Sequence, residues 1–403
     1  MSNPLIISFP HMGAYHIPIR AFLGRLFPEA QVISAPPITR ETAALGQRHS
    51  PDFICEPFKY NMGNFIQALD TGANVLFQTG MGCRYGYYGE LQEQILRDLG
   101  YDFQFLCLSR DRARPQAVYQ TLRKLGSPRS APQMAHILLV AATGIRAMDK
   151  LAGYIRENMG FAASPGHMLA EYDQFLAALK QADTVPQVHT LTRISGKRLR
   201  AMRINRPSNP LRVGIVGDLY TVMEPFSNFD IEHKLAARGI AISRKMSVSF
   251  LLFGEAERLR LRKTQGYLRH PVGANGLDSV AQSVQYASHG YDGVIHIKSF
   301  GCTPELNAIP AMNRISRDLG IPILHMSFDT HSSETGVDTR LEAFVDMMEM
   351  RRTQSNANAL QLGRGRGLYL HKRRRSGWGW PNYSERLSLD KRRPPGGGTP
   401  PDS

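Results

Sequence analysis

The sequence contains few cysteines and no long apolar run. Only four of its 403 residues are Cys, and no Cys-x-x-Cys pair occurs, so the local signatures of zinc ribbons, thioredoxins and ferredoxins are missing. No apolar run approaches the roughly 18 to 20 residues of a membrane span. The start is apolar only from Pro4 to Pro10, shorter than a signal peptide requires. We therefore expect a cytoplasmic protein whose thiols are free or bind metal.

Positive charge is concentrated at the end of the chain. The formal net charge is +15, and residues 351–403 contribute twelve Lys and Arg against three Asp and Glu. This segment holds both tryptophans and lacks hydrophobic periodicity, which predicts a disordered basic tail. Nucleic-acid binding by this tail is the alternative. We favour a solvated extension.

Short apolar runs alternate with helical patterns in two parts of the chain. In residues 1–127 the predicted strands are PLIISFP, AQVISAP, ANVLFQTG and DFQFLCLS. In residues 206–350 they lie in LRVGIVGDLY, IAISRKMS, DGVIHIKSFG and IPILHMSFD, whereas residues 128–205 have helical patterns only. This order predicts an α/β protein with two parallel-sheet domains, Rossmann-like or flavodoxin-like, that face a cleft and are joined by a helical insertion.

Three of the four cysteines fall where such a fold places its sites. Cys83 and Cys302 follow predicted strands, and Cys55 precedes a helix in a loop that could meet the same edge. Ligands of parallel sheets collect at the carboxyl ends of the strands. Cys107 lies inside a strand, which favours a packing role. The three thiols could bind zinc, hold an iron-sulfur cluster or form a redox pair, and buried structural thiols are the alternative.

Glycines next to these cysteines favour a bulky inorganic group. Without a side chain, a glycine lets the backbone approach such a group closely, and its amide can donate a hydrogen bond to sulfide. The glycines concerned are Gly80, Gly82, Gly86 and Gly301.

Charged and polar residues around the cysteines are further candidates. The flanking cations, which could stabilise a reduced cluster or bind a CoA phosphate, are Lys59, Arg84 and Lys298. The carboxylates, which could act as acid or base or cap helices, are Glu56, Glu90 and Glu305. Polar residues that follow strands, with loop packing or turn capping as the alternative, are His11, Asp329, His331 and Glu334. We select as candidate catalytic residues His11, Arg84, Glu90, Lys298 and Glu305.

Six segments carry a family resemblance over about residues 4–350. They are ISFPHMGAYHIPIRAFL, PPITRETAALG, SPDFICEPFKYNMGNFIQALDTGAN, GCRYGYYGELQEQILRDLGYDFQF, VGIVGDLYTVMEPFSNFDIEHKL and the region from YDGVIHIKSFGCTPEL to TRLEAF. In this order they resemble the 2-hydroxyacyl-CoA dehydratase component superfamily. The nearest branch is its acyl-CoA dehydratase activase-related one, also called CoA protein activase.

The resemblance implies an anaerobic iron-sulfur protein. By motif position, Cys55, Cys83 and Cys302 would bind a 4Fe-4S cluster with one open iron. An ATP-hydrolysing activator would inject a low-potential electron, and the reduced cluster would pass it to a 2-hydroxyacyl-CoA thioester, whose ketyl radical expels the hydroxyl as water. Dehydratases of this kind work as two related subunits, so the resemblance implies a homodimer or heterodimer.

The chain departs from this pattern in its phosphate motifs. RVGIVGDLY is followed by neither a Gly-x-Gly-x-x-Gly loop nor a Walker lysine, so we expect a separate partner to hydrolyse ATP. Two alternatives remain open. The chain could be a non-catalytic electron carrier or partner subunit, or a metal-free binding protein that keeps only the scaffold.

Overall fold

The computed structural model describes residues 4–80, 83–109, 115–270 and 272–364. Its strands form two separate four-stranded sheets, and every pairing within them is parallel. The strands are β1 Ile6–Phe9, β2 Gln31–Ser34, β3 Val75–Gly80, β4 Gln104–Ser109, β5 Leu211–Gly217, β6 Ile240–Arg244, β7 Gly293–Ser299 and β8 Ile323–Phe328. The predicted α/β class with two parallel sheets is confirmed.

Helices connect all neighbouring strands in sequence, as parallel pairing requires. They are α1 His16–Leu26, α2 Arg40–Arg48, α3 Glu56–Asp70, α4 Tyr85–Asp98, α5 Pro115–Lys124, α6 Ala131–Asn158, α7 Pro165–Leu179, α8 Val185–Ala201, α9 Leu219–Met223, α10 Pro225–Asn228, α11 Ile231–Ala237, α12 Val248–Phe253, α13 Glu255–Thr264, α14 Gly276–Ser288, α15 Thr303–Leu319 and α16 Glu334–Arg364.

The two sheets share one strand order. The first runs β2-β1-β3-β4 and the second runs β6-β5-β7-β8. Each order reverses beside its first strand, between β1 and β3 and between β5 and β7. In doubly wound sheets this reversal is where loops diverge and ligands bind. The segments after β1, β3, β5 and β7 therefore mark the site-bearing edge of each sheet.

Strand residues are buried because helices cover these parallel sheets. All seven residues of β7 are buried, and five of the seven in β5. Gly217 ends β5 with φ at +148°, and a Cβ there would lie 1.7 Å from the carbonyl oxygen of Ile297. Only glycine allows β5 to approach β7 this closely.

A block of helices separates the two sheets in sequence. Helices α6, α7 and α8 occupy most of the segment predicted to be helical, and their apolar residues join the largest core cluster together with residues of the second sheet. Met148, Met168 and Phe175 are buried there almost completely. The helical block thus packs into a common core with the second sheet.

The chain divides into a compact unit, Met1–Thr353, and a second unit, Gln354–Ser403. The domain boundaries predicted after residues 127, 205 and 350 stay a prediction. Most of the basic tail lies outside the described residues. No helix in the part of the chain that the structure describes is long and apolar enough to cross a membrane.

Candidate functional site

Three cysteines stand where helices begin. Cys55 directly precedes α3 and Cys302 directly precedes α15, while Cys83 lies two residues before α4. In both α3 and α15 a proline follows within the first two helical positions, where its missing N–H costs nothing. Helix N-termini carry partial positive charge and favour thiolates and other anions. The local sequence thus presents three sulfur atoms at three helix N-termini.

Loops from the two sheets meet at these cysteines. Gly301 lies against the backbone that precedes α3, so closely that a Cβ on it would lie 3.2 Å from the Cα of Cys55. The guanidinium of Arg84 donates to the carbonyl oxygen of Gly301 at 2.6 Å and to Oγ1 of Thr303 at 3.3 Å. The backbone N–H of Glu56 donates to Oγ of Ser299 at 2.9 Å. These contacts join the loops after β3 and β7 to the start of α3.

Each of the three sulfur atoms has a hydrogen-bond partner. Sγ of Cys55 lies 2.7 Å from the hydroxyl of Tyr88. The backbone N–H of Tyr85 donates to Sγ of Cys83 at 3.4 Å, and that of Glu305, in the first turn of α15, donates to Cys302. Such donors stabilise negative charge on sulfur and are among the factors that set cluster potentials.

Burial favours the protonated form of all three thiols. It raises the pKa of Cys55 to about 12, and the neighbouring charges of Asp218 and Cys83 raise it further while the Tyr88 hydrogen bond lowers it. Burial also raises the pKa of Cys83 and of Cys302, and the pKa of Cys302 responds to the charge of Cys55. Cys55 is therefore electrostatically linked to each of the other two cysteines.

Asp218 is a site residue that the sequence patterns did not single out. It follows β5 and begins α9, where its carboxylate accepts from the backbone N–H of Thr221 at 2.9 Å and of Ser299 at 2.5 Å. Burial raises its pKa, and its charge raises the pKa of all three cysteines. The available signal was an Asp directly after an apolar strand, in GIVGD.

Two acid–base pairs lie beside the cysteines. Glu56 and Lys59 form a buried salt bridge of 2.7 Å, and burial raises the pKa of Glu56. Glu305 is completely buried, and its Oε2 lies 2.9 Å from Nε2 of His296. Burial lowers the pKa of Lys298, against the opposing effect of a charge on Cys302. These groups could hold or move protons next to the sulfur atoms.

His11 has partners that also suit a packing role. Its Nδ1 lies 3.2 Å from Oε2 of Glu224, its backbone N–H donates to Asn64, and its carbonyl oxygen accepts from the hydroxyl of Tyr220. Its ring also stacks on His16. These contacts fasten the loop after β1 to the segment after β5. A catalytic role for His11 stays a prediction.

The other candidates lie around the margin of this group. Glu90 is exposed on α4, and its proposed role stays a prediction. Asp329 and His331 both influence the pKa of Glu56, although Asp329 also accepts from the backbone N–H of His331 as a turn cap. Glu334 is paired with Lys234 at 2.7 Å. Cys107 lies in β4, against Gly89 of α4.

The structure shows no metal-binding group in its described part. Among residues 4–80, 83–109, 115–270 and 272–364, no three His, Cys, Asp or Glu side chains are grouped so that they could hold a metal ion.

Comparison with known families identifies the segment that surrounds Cys302. Residues 273–348 match the sequence model of the 2-hydroxyglutaryl-CoA dehydratase D-component. This match confirms the resemblance to the 2-hydroxyacyl-CoA dehydratase component superfamily. The dehydratase match spans β7, α15 and β8 and includes Lys298 and Glu305, whereas Cys55 and Cys83 lie outside it. A search of curated proteins found no match.

Proposed function

We propose that the chain is a cytoplasmic 4Fe-4S protein of the 2-hydroxyacyl-CoA dehydratase component type. Cys55, Cys83 and Cys302 would hold the cluster, a separate ATP-dependent activator would donate electrons, and a CoA thioester would be the substrate. The observation that carries the proposal is the contact of the loops after β3 and β7 with the start of α3, because each of these three segments carries one cysteine at or near a helix N-terminus. The dehydratase match around Cys302 supports it.

The donor chemistry of the three cysteines suits a 4Fe-4S cluster. In such a cluster each thiolate binds a different iron, so its cysteine ligands need not approach one another as closely as the ligands of a single ion. Soft thiolates are the ligands such clusters use. The backbone N–H groups of Tyr85 and Glu305, together with the hydroxyl of Tyr88, are already directed at the sulfur atoms.

The residues of this chain would each contribute something different to the reaction. When bound, the cluster would supply a low-potential electron at an iron that no cysteine occupies. Arg84 ties the loop that carries Cys83 to the loop that carries Cys302. Lys298 and Arg84 place positive charge beside the site, which favours electron acceptance and the binding of an acyl-CoA. Glu305 places a buried carboxyl group there that could donate a proton to a leaving hydroxyl.

Anaerobic reconstitution tests the proposal directly. Iron and sulfide would be measured after loading the wild type and the single alanine variants of the four cysteines. We expect Cys55→Ala, Cys83→Ala and Cys302→Ala to lose most of the iron, and Cys107→Ala, the matched control, to retain it. Equal retention by all four variants would contradict the ligand assignment.

Two alternative functions correspond to other outcomes of the same preparation. A loaded chain that turns over 2-hydroxyacyl-CoA with the activator and ATP supports the dehydratase function. A cluster that is reduced and reoxidised, with turnover only after a second subunit is added, indicates a partner subunit or electron carrier. A wild type that binds no iron indicates a metal-free binding protein.

A further inference from the structure

A pair of histidines, of which one is fully buried, joins the last two strands of the second sheet. His296 in β7 and His325 in β8 are opposite each other in the parallel register, and their Nδ1 atoms are 2.9 Å apart. The ring of His296 is completely buried. Placing two hydrogen-bonded imidazoles inside a sheet costs desolvation free energy, whereas apolar side chains would fill the same core without that cost.

Helix α15 provides a polar group at each end of this pair. On the inner side, Oε2 of Glu305 lies 2.9 Å from Nε2 of His296. On the outer side, Oδ1 of Asn313 lies 3.0 Å from Nε2 of His325, and Asn313 is exposed. Four side chains therefore form one continuous row of hydrogen bonds from the first turn of α15 to the protein surface.

We infer that Glu305, His296 and His325 form a proton relay between the cysteine site and the surface at Asn313. The inference deepens the proposed function and rests on it, because loss of a hydroxyl as water consumes one proton. The inner end is suitable for delivery, since Oε1 of Glu305 is buried and has no hydrogen-bond partner among the described residues.

The relay is balanced in protons and needs no other reagent. A proton from water binds Nε2 of His325, which then donates to Oδ1 of Asn313, and the proton on Nδ1 of His325 moves to Nδ1 of His296. The proton on Nε2 of His296 then moves to Oε2 of Glu305. Both imidazoles are neutral before and after, and the carboxylate becomes a carboxylic acid. A further delivery requires both rings to return to their first tautomers, so each passage carries one proton.

A purely structural histidine pair would respond differently to mutation. In a relay, the ring N–H of the buried His296 exchanges with water through His325, so a break in the row slows that exchange. In a structural pair, the same break only loosens the packing, which leaves the exchange unchanged or makes it faster. The direction of the change therefore distinguishes the two roles.

The experiment follows the ring N–H of His296 in the ¹⁵N-labelled full chain without iron. Transfer of water magnetisation at one fixed pH would be compared for the wild type, His325→Gln, Asn313→Leu and the exposed control His289→Gln. We expect exchange to slow by about 100-fold in His325→Gln, to slow less in Asn313→Leu, and to be unchanged in the control.

Unchanged or faster exchange in the two relay variants would overturn the inference. Asn313→Leu changes an exposed residue, so the exchange rate of the His296 ring N–H in this variant tests the relay even if His325→Gln folds poorly. Because no cluster is needed, a chain that fails to bind iron but shows slower exchange would refute the proposed function and leave the relay intact.

Discussion

The three cysteines lie at helix N-termini, yet burial has the larger effect on each thiol. Desolvation raises the pKa of Cys55 to about 12 and also raises that of Cys302, whereas a helix N-terminus alone would lower it. The thiols therefore keep their protons until positive charge enters the site. Binding of the proposed cluster would release these protons, so its assembly would be coupled to pH.

His325 couples the stability of the fold to pH. Burial, together with the nearby His296 and Lys298, lowers its pKa from 6.5 to about 4. The unfolded chain therefore binds a proton at His325 at a higher pH than the folded chain does. The stability that this histidine contributes is complete above pH 6.5 and is lost as the pH falls through about 4.

We expect the wild type to lose stability more steeply than His325→Gln as the pH falls from 6.5 to about 4. The difference in slope should approach, but not exceed, about 1.4 kcal/mol per pH unit. Urea unfolding followed by circular dichroism at several pH values would measure it. The exposed control His289→Gln should keep the wild-type slope, and identical slopes for all three proteins would contradict the assignment.

Sequence patterns identified residues that follow strands more readily than residues whose side chains contact each other between neighbouring strands. Cys83 and Cys302 could be placed at the edge of a parallel sheet because each lies in the loop after an apolar run. The contact between His296 and His325 depends on the register of β7 and β8, which no local pattern encodes. Asp218 gave a local signal, but its importance arises from its electrostatic influence on three distant cysteines.

The strands could be predicted from the sequence because helices cover both faces of each sheet. Such strands are continuous apolar runs, and all eight lie within the predicted segments. The helical faces were harder to predict. In α4 the spacing of Leu91, Ile95, Leu96 and Leu99 predicts that these four residues share the buried face. Only Leu96 is fully buried, and Leu91 and Leu99 are exposed. The buried side of α4 instead includes Tyr88 and Gln92.

This difference in α4 has a cause in the site. Tyr88 is turned inward, where its hydroxyl reaches Sγ of Cys55 and its ring packs edge-on against Phe58. Gln92, one turn later, donates to the carbonyl oxygen of Phe58 at 3.2 Å. The helix is therefore oriented by polar contacts with α3, which a count of apolar residues does not detect.

The contact between the loop after β7 and the start of α3 can be tested at Gly301. A Cβ at this position would lie 3.2 Å from Cα and N of Cys55 and from the carbonyl oxygen of Phe53. We expect Gly301→Ala to displace this backbone, to lower the free energy of unfolding by about 1 kcal/mol and to reduce iron retention. Chemical denaturation and iron analysis of the reconstituted variant would measure both effects.

Gly24→Ala is the matched control for that substitution. Gly24 lies in α1, and no heavy atom would come within 4 Å of its Cβ. Alanine there should stabilise the helix by up to about 1 kcal/mol and leave iron binding unchanged. Wild-type iron retention in Gly301→Ala would show that the site does not depend on this close approach.

At the scale of the whole molecule, two similar sheets contribute corresponding segments to one site. Residues after β1 and β3 of the first sheet, and after β5 and β7 of the second, include His11, Cys83, Asp218 and Cys302 respectively. Neither sheet supplies all three cysteines. The proposed site would therefore be complete only when both halves of the Met1–Thr353 unit are folded together, and its assembly would test the tertiary structure.

The basic end of the chain should be dispensable for this assembly. Its charge and composition do not provide a core, and none of the three cysteines lies beyond Cys302. We expect a chain that ends at Arg364, the last residue of α16, to match the full chain in iron content and in its denaturation midpoint. Iron analysis and urea unfolding of the two chains under identical anaerobic conditions would measure this.

The same truncation tests whether the charge of the tail acts on nucleic acid independently of iron binding at the proposed site. Residues 365–403 contain nine Lys and Arg against three Asp and Glu, so their removal should weaken any binding to nucleic acid and flatten its salt dependence. Filter binding at several salt concentrations, with both chains loaded equally with iron, would measure this. If truncation instead removed the iron, the tail would have to contribute to the fold or to the site, and the confinement of the proposed chemistry to the two sheets would be wrong.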